Sequence, residues 1–367
     1  MTAYHIVSAD SHMCEPPDLW TARLDQKYRD RAPHTVKGYQ GKEGVFFVCE
    51  NIMPIPVSGI FGAGKTAEEL PEHFKRGYEA APPSVWDPAA RLKEQDADGV
   101  SGEVLYTSFG MFLYGLDDTE LRTACFRVYN DFVAEYTSHD SKRLAGLGLI
   151  DLEDISAGVT EMQRIAQKGL RGVMIWASPP EDRPYTHPDY DPFWAAAQDL
   201  GLPVSFHILT GRGGPRVNLD KILTSYMGQP HEIQMTLATL IFSGILERFP
   251  KLQIVSAEND VSWLYHFMYR LDHAYDRFRH FQGVNLSMLP SEYVKRQLHA
   301  SFQFEEVGMD LVNRFGAENI MWSSDYPHTD STWPRSREFI DGHFKGISVE
   351  VTQRIVGANA AHLYHLD

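Results

Sequence analysis

Cysteine is scarce in this chain: Cys14, Cys49 and Cys125 are the only three, and no C-x-x-C pair occurs. An odd number without paired spacing argues against a disulfide framework and points to a reducing compartment. Positive charge is also in deficit, with 34 Lys and Arg against 49 Asp and Glu and a formal net charge of −15. An extended nucleic-acid face or an anionic-membrane face needs the opposite balance, so both are excluded as partners. No apolar run approaches the roughly 20 uncharged residues of a membrane span. The opening "MTAYHIVSADSH" lacks the basic segment and long apolar stretch of a signal peptide. The expectation is a soluble, cytoplasmic protein. Internal repeats shorter than a strand–helix unit, low-complexity tracts and interdomain linkers are absent too, so residues 1–367 read as one domain.

One motif that is present invites the wrong chemistry. "GIFGAGKT", residues 59–66, fits the phosphate-loop pattern G-x-x-x-x-G-K-[ST] at Gly59, Gly64, Lys65 and Thr66. Such a loop wraps phosphates only between a buried strand and a helix. Here Pro54 and Pro56 precede it and Pro71 follows it, which spoils a central strand on one side and a long helix on the other. The nucleotide reading is set aside.

Short apolar runs alternate with helix-spaced segments to the end of the chain. The strand candidates are residues 5–9, 102–107, 144–150, 171–176, 202–207, 252–257, 298–303 and 319–324. Between them lie helical patterns such as "AARLKEQDADG", "FRVYNDFVAEYTSH" and "DPFWAAAQDLG", several stopping at Gly before the next strand. Apolar strands alternating with helices mean a parallel sheet covered by helices, and about eight of them close a barrel. The expected class is therefore α/β, a (β/α)8 TIM barrel; an open doubly wound sheet competes, but no G-x-G-x-x-G follows the first strand. Residues 28–85 break the repeat. This Pro- and Gly-rich stretch, with a short hairpin expected at "GVFFVCENIMP", reads as a long insertion after the first strand, on the catalytic face, where it would serve as a lid.

Barrel sites form where strands end. The first candidate runs into Asp10 and His12, the fifth ends in His207, Glu258 follows the sixth, and Asp325 and then His328 follow the eighth. Asp10 and His12, two apart, project to one side of an extended chain. A metal could collect that pair with one His and one Asp from across the barrel mouth, and mixed N/O ligands suit zinc, manganese or iron. Arg212 in the glycine-rich "LTGRGGPR" could clamp a substrate carboxylate. Glu15, in "CEPPDLW", reads as a residue that caps or pins the loop after the first strand.

The runs "VSADSHMCEPPDLW", "WDPAARLKEQDADGV", "DPFWAAAQDLGLPVSFH", "SGILERFPKLQIVSAEND" and "FGAENIMWSSDYPHTDSTWP", in this order, resemble the amidohydrolase-related family, in its branch similar to aminocarboxymuconate-semialdehyde decarboxylase. The resemblance spans nearly the whole chain except 28–85. It implies a distorted (β/α)8 barrel with a divalent metal, usually zinc or manganese. It further implies a hydrolase or non-oxidative decarboxylase acting on a small carboxylated, often aromatic or cyclic, substrate. The family ligands fall on Asp10, His12, His207 and Asp325. Asp325 is the candidate general acid or base, and His328, near the site by sequence, is a candidate for substrate binding or for orienting Asp325. Asp10 stands where a family member has His or Glu, and Glu258 stands where the decarboxylases have a further catalytic His. Those carboxylates favour a harder ion, Mn²⁺ or Fe²⁺, make Glu258 both a candidate ligand and a candidate catalytic acid, and leave room for a second ion. A dinuclear iron or manganese–iron oxygenase is the alternative. A small-molecule substrate and a homo-oligomeric partner, in a dimer, complete the expectation.

Overall fold

The computed structural model describes residues 4–211 and 222–366. Eight parallel strands, Val7–His12, Gly102–Tyr106, Leu144–Leu149, Gly172–Ile175, Val204–His207, Ile254–Ala257, Leu298–Phe302 and Ile320–Trp322, follow one another in sequence order in a single sheet. Every residue of these strands is buried. That is why they read as unbroken apolar runs, since helices cover one face and the barrel interior the other. All eight expected strands form, with ends displaced by at most three residues.

Local chemistry sets the helix boundaries. Asp87, Asp118 and Asp154 each accept a backbone N–H in the first turn of the helices Pro88–Asp98, Thr119–Thr137 and Ile155–Gln167. Gly99 and Gly201 stop their helices in the left-handed region, at φ 76° and 64°, where a Cβ would be strained. No helix among the described residues is long and apolar enough to cross a membrane.

The first and eighth strands form the seam of the barrel. They share no regular ladder among the described residues. Individual bonds close the gap: Asp325 N–H to Asp10 O at 2.9 Å, His12 N–H to Tyr326 O at 2.7 Å, and Ser324 N–H to Ser8 Oγ at 2.8 Å.

The stretch 28–85 carries its own antiparallel sheet of His34–Tyr39, Lys42–Val48 and Ile55–Pro56. The expected hairpin at 44–54 is only partly right. The tight turn lies earlier, at Gln40–Gly41, with φ of 48° and 80°, and the strand entering it, HTVKGY, is too polar and exposed to show an apolar alternation. Phe47 stacks on Phe109 at 4.8 Å. Ala63 N–H donates to Pro327 O at 3.1 Å, Thr329 Oγ1 to Gly59 O at 3.1 Å, and Asn51 Nδ2 to Gly115 O at 2.8 Å. The insertion thus leans on loops that follow the second and eighth strands. Gly59–Thr66 has neither of the neighbours a phosphate loop needs. A two-residue strand ends at Pro56, a short 3₁₀ turn spans Val57–Ile60, and the next helix, Leu70–His73, is four residues long.

Candidate metal centre

The first strand does not run straight into the site. Between Ser8 and Ser11 its register against the second strand slips, so three steps along one strand match two, Glu103 to Leu105, along the other. This bulge contains Asp10, and bulges re-aim side chains near sites. Ser8 Oγ donates to Asp10 O at 2.9 Å and lies 2.8 Å from Ser11 Oγ, fixing the kinked backbone. After the sixth and eighth strands, Glu258 and Asp325 both stand at positive φ, 56° and 55°. Non-glycine residues held there carry strain of order 1–3 kcal/mol, a feature that clusters at functional sites.

These backbones bring Asp10, His12, His207, Glu258, Asp325 and His328 together. His12 Nε2 lies 3.4 Å from Asp10 Oδ1 and 3.2 Å from Asp325 Oδ1. His207 Nε2 lies 3.8 Å from Asp10 Oδ1 and 3.2 Å from Glu258 Oε2. Both imidazoles turn their other nitrogen to a backbone carbonyl, His12 Nδ1 to Thr107 O at 2.8 Å and His207 Nδ1 to Ile208 O at 2.9 Å. With the proton on Nδ1, each Nε2 presents a lone pair to the same space, as metal-binding histidines do.

Within this cluster four buried atoms lack a hydrogen-bond partner: Asp10 Oδ1, His12 Nε2, His207 Nε2 and Asp325 Oδ1. Buried polar atoms left unpaired are costly. Donors on a coordination shell of radius about 2.1 Å stand about 3.0–3.4 Å apart, close to the separations here. The residues therefore fit a divalent cation, in two groups joined through His12: Asp10, His12 and His207, and His12, Glu258, Asp325 and His328.

Charge and burial push these groups apart. Burial alone would raise the Asp10 carboxyl, but His207 and His12 overcome it and hold it far below the usual carboxylate range. Burial works against charge on His12, yet Asp10 and Asp325 raise its imidazole well above the ordinary value. Asp325 is likewise raised by burial and then drawn below its ordinary value by His328 and His12. Glu258 differs: burial pushes it up, and Asp325 and Asp10 push it further. It is also the most exposed carboxylate of the set, its side chain 14% accessible against 0% for Asp10 and 1% for Asp325.

His328 stacks on His12 at 3.9 Å, places Nδ1 3.1 Å from Asp325 Oδ1, and sets Nε2 3.1 Å from Ser108 Oγ. It bridges two members of the cluster. Glu15 is fully buried and accepts N–H bonds from Phe109 at 2.9 Å and Gly110 at 3.1 Å and the hydroxyl of Thr107. It pins the loop whose Thr107 carbonyl fixes the His12 ring. Arg212, the expected carboxylate clamp, lies outside the described residues.

Sequence reading missed the groups that support this set. Ser301 Oγ contacts Asp10 Oδ2 at 3.3 Å and receives Glu258 N–H at 3.0 Å. Tyr106 packs its ring 5.1 Å from His207 and 5.9 Å from His12. Small hydroxyls and a tyrosine inside apolar strands look like ordinary filling. Only their place next to a ligand, such as the pairing of Tyr106 with His12, separates them from it.

The family profile described as Amidohydrolase matches residues 70–366. The chain is 26% identical over 290 residues to 2-amino-3-carboxymuconate-6-semialdehyde decarboxylase of Dictyostelium discoideum, covering 77% of this chain and 78% of that protein. It is 24% identical over 311 residues to gamma-resorcylate decarboxylase of a Rhizobium species, covering 76% and 86%. In fold it is similar to a crystal structure of an amidohydrolase from Mycobacterium avium subsp. paratuberculosis, with TM-score 0.79 and 20% identity over 99% of this chain and 100% of that one. It is also similar to a dihydroxybenzoic acid decarboxylase from a Polaromonas species, solved with manganese and the inhibitor 2-nitroresorcinol, with TM-score 0.68 and 17% identity over 99% and 97%. The eight-stranded barrel is the fold of these proteins, and the chain belongs to the amidohydrolase family of metal-dependent enzymes.

Proposed function

We propose that the chain is a non-oxidative decarboxylase of a small aromatic or cyclic acid, working with one divalent ion, preferably Mn²⁺. The observation that carries this is two groups of mutually close donors that share His12, one of Asp10, His12 and His207 and one of His12, Glu258, Asp325 and His328, in which the buried Asp10 Oδ1, His12 Nε2, His207 Nε2 and Asp325 Oδ1 are unpaired. Those residues would hold the ion, and the carboxylates favour a hard one. The decarboxylase relatives and the manganese in the Polaromonas enzyme support the same reading. When bound, the ion would supply positive charge to orient an anionic substrate and stabilise charge developing on it.

The chain's own residues supply the proton. Glu258, the most exposed carboxyl of the cluster and the one pushed upward by burial and by Asp325 and Asp10, would be the proton donor. In the reaction the bond between the ring carbon and the carboxylate carbon breaks. Its electron pair stays on the ring carbon, which takes the proton from Glu258, and CO₂ leaves. Glu258 regains a proton from solvent. Asp325, held ionised by His328 and His12, stays a ligand. Residues 28–85, which lean on the loops after the second and eighth strands, serve as the lid that keeps bulk water out.

A second reading, hydrolysis of a neutral ester, lactone or amide, is favoured by one observation. Asp10 and Asp325 bring two ionised carboxylates to the mouth, and that negative charge repels an anionic substrate. The decarboxylase relatives give the oxygenase reading no support. The test is to purify the protein without added metal, measure its elements, and screen hydroxylated benzoic acids for CO₂ release alongside aryl esters and lactones. One equivalent of manganese with CO₂ release in D₂O and deuterium on the ring is the expected result. Hydrolysis without any CO₂ release selects the second reading, and a chain that takes up no divalent ion overturns both.

A further inference from the structure

Among the described residues of this acidic protein two arginines are completely buried, Arg91 and Arg122. Both fork onto a carboxylate. Arg91 Nε and Nη2 donate to Glu103 at 2.7 and 2.9 Å, and Arg122 Nε and Nη2 donate to Asp151 at 2.7 and 3.1 Å. They differ in where the remaining donors go. Arg122 reaches the Leu116 carbonyl and the side chains of Thr119 and Glu153. Arg91 reaches into the barrel seam instead, with Nη1 on His12 O at 2.8 Å and Nη2 on Tyr326 O at 3.2 Å.

We infer that Arg91, aimed by Glu103, is a positioning residue for the metal centre: it sets the relative placement of His12 and Asp325 by clamping the backbone on both sides of the seam. This rests on the metal reading given above. The seam has no regular ladder among the described residues, so few bonds define it. Three of the four convergent donors, on Asp10, His12 and Asp325, belong to this seam. Tyr326 O already accepts His12 N–H at 2.7 Å. The guanidinium therefore triangulates a junction in which one partner carries an imidazole ligand and the other directly follows a carboxylate ligand. Gln95 Nε2 holds Glu103 Oε2 at 2.6 Å, and the guanidinium carbon sits 4.6 Å from the Tyr326 ring centre. The fork is thus fixed on every side. Lysine, with a single ammonium on a flexible stem, cannot satisfy a carboxylate and two carbonyls in one plane. Second contacts of this kind orient ligands and shift metal affinity by about 10–100-fold.

A buried arginine also stabilises the fold, so the experiment separates the two effects by using Arg122 as a matched control. Wild type, Arg91→Met, Arg91→Lys and Arg122→Met are stripped of metal and titrated with Mn²⁺. Affinity, the Mn²⁺ electron paramagnetic resonance spectrum and the melting temperature are read for each. The expected result is Mn²⁺ binding weakened about tenfold or more with an altered spectrum in Arg91→Met, and a smaller change in Arg91→Lys. Arg122→Met should lose melting temperature yet keep wild-type affinity and spectrum. Wild-type Mn²⁺ affinity and spectrum in Arg91→Met overturn the inference, and so does an equal change in Arg122→Met. Should Arg91→Met not fold, Arg91→Lys and Glu103→Gln against Arg122→Lys make the same comparison by the same criteria. A wild type that binds no Mn²⁺ refutes the metal reading itself, an outcome visible before any variant is compared.

Discussion

The backbone N–H of Asp325 donates to the carbonyl of Asp10 at 2.9 Å. This bond ties the bulge of the first strand to the turn after the eighth, and so holds two carboxylates near each other with His12 between them. Like charges placed together in a buried space oppose folding unless a cation joins them. On the proposed reading the centre is organised ahead of the ion, which would offset this repulsion.

Metal removal should accordingly cost stability. An ion at 100 times its dissociation constant adds about 2.7 kcal/mol to the folded state. Chelation followed by dialysis should lower the melting temperature by several degrees, and Mn²⁺ should restore it. His12→Ala or His207→Ala should weaken metal binding at least about 100-fold and abolish that restoration, because each removes a donor whose partner nitrogen is already committed to a carbonyl. Full metal occupancy in either variant would remove these histidines from the ligand set.

Glu258 and Asp325 should separate by kinetics. Glu258→Gln keeps the shape and removes the transferable proton, so kcat should fall about 10²-fold or more, the usual span for a general acid. Metal content should change little, and KM less than kcat. Asp325→Asn should instead lose much of its metal, since its unpaired Oδ1 faces His12 Nε2 at 3.2 Å. Near-normal turnover in a metal-replete Glu258→Gln enzyme would return the proton to Asp325.

The strands were legible because both of their faces are buried, and Asp10, His12, His207, Glu258 and Asp325 because a carboxylate or imidazole ending an apolar run is conspicuous. Arg91 and Glu103 carry no such mark. Arg91 lies among Lys93, Glu94, Asp96 and Asp98, which read together as a solvated helix face, and its partner sits in another element. The bulge at Asp10 was invisible as well, since it is a slip in register between two strands and no residue type announces it.

Asp98 gives a pH dependence away from the centre. It is 5% exposed and accepts Ser336 N–H at 2.9 Å and the Ser336 hydroxyl at 2.5 Å. Burial raises its carboxyl, the Ser336 bonds only partly offset this, and it stands at about 6. The unfolded chain releases that proton near pH 4. Between pH 4 and 6 the folded state therefore binds more protons than the unfolded one. This group's contribution to stability is full below about pH 4 and declines as pH rises through 6. Asp98→Asn should remove the decline. Its amide oxygen can keep the Ser336 N–H, while the Ser336 hydroxyl turns to Thr332 Oγ1, 2.8 Å away. Relative to wild type, the variant should gain about 1–2 kcal/mol in urea unfolding from pH 4 to 7; a difference that does not vary with pH would contradict this.

The Gly59–Thr66 loop offers the last prediction, because one of its glycines, Gly62, has a reason that involves no nucleotide. A Cβ on Gly62 would come within 2.9 Å of Thr329 Cβ and 3.1 Å of Thr329 Cα, closer than packed carbons tolerate. Thr329 follows His328 and donates to Gly59 O at 3.1 Å, while Ala63 N–H holds Pro327 O at 3.1 Å. The loop is thus seated directly on the turn that carries Asp325 and His328. Gly62→Ala should cost about 1–3 kcal/mol by overpacking and should also lower activity, since the strain falls on that turn. Lys65→Ala, at an exposed position, should leave stability within about 0.5 kcal/mol, and neither parent nor variant should bind ATP in calorimetry. ATP binding by the parent that is lost in Lys65→Ala would reinstate the phosphate loop.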